Sequence, residues 1–192
     1  MTIMIIGLLI FLGSHSVRIF AEDWRQRQIA QRGETTWKVA YSAVSIVGLA
    51  IAIYGFGQMR LDPIYIWYPP MGMRHAVALL MVPAFIMLAA TYVPGNAIKA
   101  KLGHPMMLAV KIWAFAHLLA NGRLGDIIFF AAFLIWAILA FKTAKKRNRL
   151  TPSAPVSTSK MATIATVLVG LIAYVVFAFY LHTALIGVPV FS

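Results

Sequence analysis

Six apolar runs divide the chain, at about 3–20, 37–57, 75–92, 104–122, 124–141 and 161–183. Each is close to the roughly 20 residues that an α-helix needs to cross a bilayer. The polar positions cluster between the runs, so the pattern predicts an all-α polytopic membrane protein, a bundle of about six transmembrane helices. Residues 1–187 read as one domain and 188–192 as a short tail. The first run lacks a basic leader and a small-x-small cleavage site, which predicts a retained helix.

The connectors differ from one another. Residues 21–37 carry Glu22, Asp23, Arg25, Arg27 and Arg32, with Trp24 and Ile29, a mixture suited to a short interfacial helix. Gly33 then reads as a stop, and Glu34-Thr35-Thr36 as a new start. Residues 58–74 contain Pro63, Pro69 and Pro70, which exclude a regular helix; the aromatics there suggest a segment on the membrane surface, a lid. The fourth run is marked at both ends. Pro105 suits a first helical turn, and Asn121-Gly122 predicts a left-handed stop. The short turn after it makes the fourth and fifth runs antiparallel neighbours. Residues 142–155, which include Lys145-Lys146-Arg147-Asn148-Arg149, read as a basic mobile loop. Gly7 and Gly13 would allow a helix or a flat ligand to approach the first run closely.

Composition agrees with the membrane reading, with 61% hydrophobic and 11% charged residues. The absence of cysteine excludes disulfides, iron–sulfur clusters and thiol nucleophiles. The formal charge of +12 invites a nucleic-acid reading, but its placement does not. Of the 17 Lys and Arg, thirteen share one side. They are Arg18, Arg25, Arg27, Arg32 and Lys38 around the first connector, Lys99 and Lys101 before the fourth run, and Lys142, Lys145, Lys146, Arg147, Arg149 and Lys160 around the last. Such asymmetry orients a membrane protein, with the basic side cytoplasmic and both termini outside. The expected location is a bacterial cytoplasmic membrane, with the lipid bilayer as first partner and no nucleic acid.

The 5 acids, Glu22, Asp23, Glu34, Asp62 and Asp126, all read as loop residues, with Asp126 in the turn that opens the fifth run. A carboxylate proton relay within the membrane is therefore disfavoured, as is a carboxylate-bridged metal centre. The 5 histidines, His15, His75, His104, His117 and His182, all lie at or inside helices. Zinc needs three or four converging ligands, whereas haem needs one or two imidazoles and fits between apolar helices. Without a Cys-x-x-Cys-His motif such a haem is b-type, with Arg18 or Lys111 available to its propionates. Hydrogen bonding between helices is the competing use of each histidine. Lys111, in mid-run, either snorkels to the surface or needs a partner. At 100° per residue it stands nearly under His104, while His117 shares a face with Trp113 and Asn121. His15 and His104 lie towards the basic side, and His75, His117 and His182 towards the other. Pairing His15 with His117 would need a steeply tilted haem, across an offset on the order of 10 Å; His117 with His75 or His182 would be flatter.

Two stretches resemble the NnrU family: Gly7 to Ile19, through Ser14-His15-Ser16-Val17-Arg18, and His104-Pro105 to His117-Leu118-Leu119-Ala120-Asn121-Gly122. The resemblance runs from about residue 1 to 187. NnrU proteins are bacterial membrane proteins linked by name to nitrite and nitric oxide reductase, hence to denitrification. The family is similar to the plastid 15-cis-zeta-carotene isomerase, which carries a b-type haem. The resemblance implies His15 and His117 as iron ligands and places His104 in the shared signature. It implies a haem protein acting on nitric oxide or on a lipophilic polyene. Two other classes stay open. One is a non-enzymatic assembly factor for a reductase. The other is an S-adenosylmethionine-dependent membrane methyltransferase, against which the purely basic Lys145–Arg149 region counts.

Overall fold

In the computed structural model, which describes residues 1–151 and 157–191, the chain forms eight helices. These are α1 (Thr2–Phe20), α2 (Glu22–Arg32), α3 (Glu34–Met59), α4 (Met73–Tyr92), α5 (Ala97–Leu102), α6 (Pro105–Ala120), α7 (Leu124–Leu150) and α8 (Lys160–Ile186). A π-helical stretch, Phe177–Leu181, interrupts α8. Five of the helices, α1, α3, α4, α7 and α8, are long and apolar enough to cross a membrane, and α6 is a shorter apolar helix. At 1.5 Å per residue the 16 residues of α6 span roughly 24 Å, less than a hydrocarbon core of about 30 Å. It nevertheless runs from one end of the bundle to the other. His104 at its start lies near the end of α7, facing Phe141, and Gly122 beyond its end meets the 60–72 loop.

All-α architecture follows from the alternation of apolar runs and polar connectors, because a helix satisfies its own backbone in lipid. The interfacial helix expected in the first connector is α2. Gly33, at φ 84°, ends it in a conformation that disfavours any side chain. Pro83 sits within α4.

Three local expectations need correction. The Lys145–Arg149 run belongs to α7, which continues to Leu150, and is not loop; Lys and Arg are good helix formers, and the helix persists past its apolar part. Pro152–Val156 and Ser192 lie outside the described residues. The stop after α6 is extended, with Asn121 at φ −128° and ψ 121°, and Gly122 has no positive φ. Gly122 is required for another reason. A Cβ there would collide with the backbone of Trp67, and the Gly122 carbonyl accepts from the Ile66 N–H at 2.8 Å. The 60–72 segment is thereby fastened to the α6–α7 turn. Finally, Gly13 meets nothing within 4 Å among the described residues, so only Gly7 of the pair serves close approach.

The bundle is built from two kinds of contact. α1 lies against α3 with backbones touching. Gly7 faces Ala52, Gly48 faces Phe11, and Gly55 faces Met4. Such small-residue contacts replace the hydrophobic drive that lipid removes. α4 packs on α6 and α8, with Gly170 of α8 against Ile86 of α4. α7 joins the two groups through a cluster of rings, Phe129, Phe130 and Phe133, with Met4, Leu8 and Ala114.

Candidate functional site

His15 and His117 are held by the same device. The Nδ1–H of His15 donates to the Phe11 carbonyl at 2.8 Å, and that of His117 donates to the Trp113 carbonyl at 2.8 Å. In both, the acceptor is the carbonyl one helical turn back. A bond from Nδ1 to a carbonyl fixes the tautomer and leaves the Nε2 lone pair outward, as in metal-bound histidines.

Their surroundings differ. His15 sits among Phe11, Tyr41 and Trp136, with ring centres 4.3, 5.1 and 5.8 Å away. Ser14 Oγ, 3.3 Å from His15 Nδ1, also donates to the Phe11 carbonyl and meets the buried Ser45 hydroxyl at 3.1 Å. His117 lies against Phe130 at 4.7 Å and Trp113 at 5.5 Å. Its backbone carbonyl accepts from Asn121 Nδ2 at 2.8 Å. The α7 neighbours Trp136 and Phe130 are six residues apart, so the axial offset between the histidines is about 9 Å. Between them lies a chain of rings: Phe11 to Phe133 at 5.8 Å, and Phe133 to Trp113 at 5.3 Å.

The fit of haem to this arrangement has two parts. The donor set suits it, with two imidazoles on different helices, each with Nδ1 engaged and Nε2 available. The buried Trp136 Nε1, which has no hydrogen-bond partner among the described residues, adds an orphaned donor beside His15. The intervening space is occupied by Phe11, Trp113 and Phe133. A flat macrocycle reaching both histidines would have to take the place of those rings.

The other predicted residues are distributed more widely. His104 caps α6, facing Phe141 with ring centres 6.5 Å apart, and its Nε2 is buried without a hydrogen-bond partner among the described residues. Arg18, one turn beyond His15, lies 3.9 Å from Glu22, which Arg25 also holds at 3.0 Å. Lys111 lies with its ammonium 4.5 Å from the centre of the same Phe141 ring, as its register with His104 foresaw. It does not join the His15 surroundings. Its neighbour Ile138 follows Trp136 by two residues, about 200° around α7. His182 donates to the Val188 carbonyl at 2.6 Å. His75 is exposed at the start of α4. Among the described residues no three His, Asp or Glu side chains gather as a metal site.

Sequence reading missed the partners that α7 and α3 supply to His15, Trp136 and Tyr41. No spacing rule links them to position 15, because they converge only through packing.

Helices of membrane-crossing length, with polar residues gathered at their ends, define a polytopic helical membrane protein. A family comparison gives it a narrower place. The model described as NnrU protein matches residues 3–190, and the chain belongs to the NnrU family. Comparison with curated proteins and with solved structures found no match.

Proposed function

We propose that this NnrU protein binds haem b, with His15 of α1 and His117 of α6 as iron ligands, and acts in nitrite and nitric oxide metabolism. The observation that carries the reading is the matched pair of Nδ1–H bonds to the Phe11 and Trp113 carbonyls. Those bonds hold each ring at one tautomer and raise the basicity of Nε2. Arg18, one turn from His15, is the cation offered to a propionate. Bound haem would supply an iron able to exchange an electron, and to take up nitric oxide where one of the two imidazoles gives way. Phe11, Trp113 and Phe133 keep water from the site. The same apolar walls suit a lipophilic polyene, so cis–trans isomerisation is the second reading on this site.

The test is the absorption spectrum of the purified protein, oxidised and dithionite-reduced, with a pyridine haemochrome assay. A Soret band with split α and β bands on reduction is expected. His15→Ala and His117→Ala should each lose it, whereas His75→Ala and His182→Ala should not. Unchanged haem content in His117→Ala, or no Soret band after haem supplementation, removes the assignment. Nitric oxide added to the reduced protein should shift the Soret band under the first reading, and an unshifted band removes that reading.

The proposal places the basic end in the cytoplasm of a bacterial cell, with both termini outside. The chain has no cysteine, so Asn148→Cys gives a single label site. A membrane-impermeant maleimide should reach it only after the membrane is opened; labelling of intact cells reverses the topology.

A further inference from the structure

Where α7 outruns the membrane part of the bundle, it forms with α6 an open groove of about 390 Å³. Five cations line it: Lys111 from α6, and Lys142, Lys145, Lys146 and Arg149 from α7. The two other lining residues, Ile138 and Phe141, are apolar. The positions 138, 141, 142, 145 and 149 fall on one stripe of α7, so the groove follows from register. Phe141 carries two ammonium groups, Lys111 at 4.5 Å and Lys145 at 5.5 Å from its centre.

Charge balance is the unusual feature. A run of basic residues on an exposed helix end is ordinarily a solvated face, with acids of neighbouring turns interspersed. Here the sequence holds no acid after Asp126. The ion pairs among the described residues use Glu22, Glu34 and Asp126, and none involves these five cations. Like charges gathered in a concave site raise the local potential and call for an anion. Lys111 adds depth. It stands six residues into an apolar helix, about 9 Å from its start, and among the described residues its close partner is a ring face. A free anion needs only the exposed cations. An anion that extends into the apolar layer uses the exposed cations, Lys111 and the Ile138–Phe141 floor together.

We propose that this groove holds the phosphate headgroup of an anionic phospholipid, with its glycerol end towards Lys111 and its acyl chains alongside α6 and α7. The exposed Lys142, Lys145, Lys146 and Arg149 supply the charge that selects an anionic over a zwitterionic headgroup. The groove turns away from His15 around α7, so it stands or falls separately from the haem assignment.

The experiment is native mass spectrometry of the full, delipidated chain in detergent, offered phosphatidylglycerol and phosphatidylcholine in equal amounts. Retention of phosphatidylglycerol over phosphatidylcholine is expected. Lys111→Leu and the pair Lys142→Gln/Lys145→Gln should reduce it, by about fivefold for each cation removed. Arg27→Gln/Arg32→Gln, which removes two cations from α2 at the same end, should leave it unchanged. Equal retention of the two lipids overturns the proposal, as does an equal loss in the α2 variant. Should the groove variants fail to fold, competition on the unaltered protein decides. Short-chain phosphatidylglycerol should displace the retained lipid, and inorganic phosphate at the same concentration should not; displacement by phosphate alone marks a free-anion site and overturns the lipid assignment.

Discussion

The contact of α1 with α3 and the contact of α6 with α7 join helices in opposite ways. In the first, backbones touch. A Cβ added at Gly48 would stand 2.7 Å from the Phe11 nitrogen, and one at Gly7 would stand 2.6 Å from the Ala52 Cα. In the second, Trp113 of α6 meets Phe130 and Phe133 of α7 at 5.2 and 5.3 Å, and rings fill the distance. Nothing can be inserted where glycines place backbone on backbone. Rings, however, turn about χ1 and χ2 and can be exchanged for another flat apolar body. The difference makes one region rigid and the other adaptable, and under the haem proposal the two histidines lie at opposite edges of the adaptable one.

The largest effect is expected from Gly7→Val. Its branched side chain meets backbone atoms of Ala52 and Gly48, which cannot step aside as a flexible side chain would. Overpacking of this kind costs about 3 kcal/mol or more. The thermal midpoint of the detergent-solubilised protein should collapse, while Gly13→Ala, open on every side, should hold it. An intact midpoint in Gly7→Val would break the comparison at its rigid half.

Phe133→Ala probes the other half and should cost less. The truncation leaves a cavity beside Phe11, Phe129 and Trp113. Because lipid solvates the unfolded helices as well as protein does, only packing is lost. The cost is about 2 kcal/mol, below the range for such truncations in soluble cores. The sharper expectation is a contrast. If the rings yield their place to haem, the variant should bind haem undiminished, and the loss in midpoint should shrink in the loaded protein. A midpoint deficit equal with and without haem would show that Phe133 stays where it is.

The two regions were not equally legible in the sequence. The fold rests on apolar run length and on where charges fall, which are local properties, and the helices appear where the runs are. Gly33 as a stop and Pro105 as a start act through their own φ preferences and needed no tertiary context. The line between α7 and its basic extension was illegible, because Lys142 to Arg149 are polar enough for a loop and helical enough for a helix, and only continuity decides. Gly13 and Gly122 show the same limit from another side. A glycine announces that a side chain is excluded but not what excludes it: nothing at position 13, the Trp67 backbone at position 122. Within α6, the register of Lys111 under His104 was readable along one helix. The encounter of His15 with Tyr41 and Trp136 joins three helices and was not.

The smallest effect concerns the basic edge of the ring-filled contact, where His104 enters between α6 and the extension of α7. Burial pushes its imidazole below the ordinary value of 6.5, the Ala144 carbonyl and the Asn148 side chain oppose the shift, and the charges of Arg147 and Arg18 add to it. The folded state therefore holds this group neutral more firmly than the unfolded chain does. Stability is unaffected well above pH 6.5 and falls as acid is added through that value, because the unfolded chain takes up the proton first. The fall ends once the folded-state value is passed as well. A thermal midpoint that declines between neutral and mildly acid pH should decline less in His104→Gln, which keeps an amide nitrogen in place of the ring but cannot titrate. The α1–α3 contact made by Gly7, Ala52 and Gly55 contains no titrating group, so Gly7→Ala should lower the midpoint without changing its slope against pH. Parallel slopes in His104→Gln and the unaltered protein would move the acid sensitivity elsewhere, and leave the α6–α7 edge as indifferent to protons as the glycine contact.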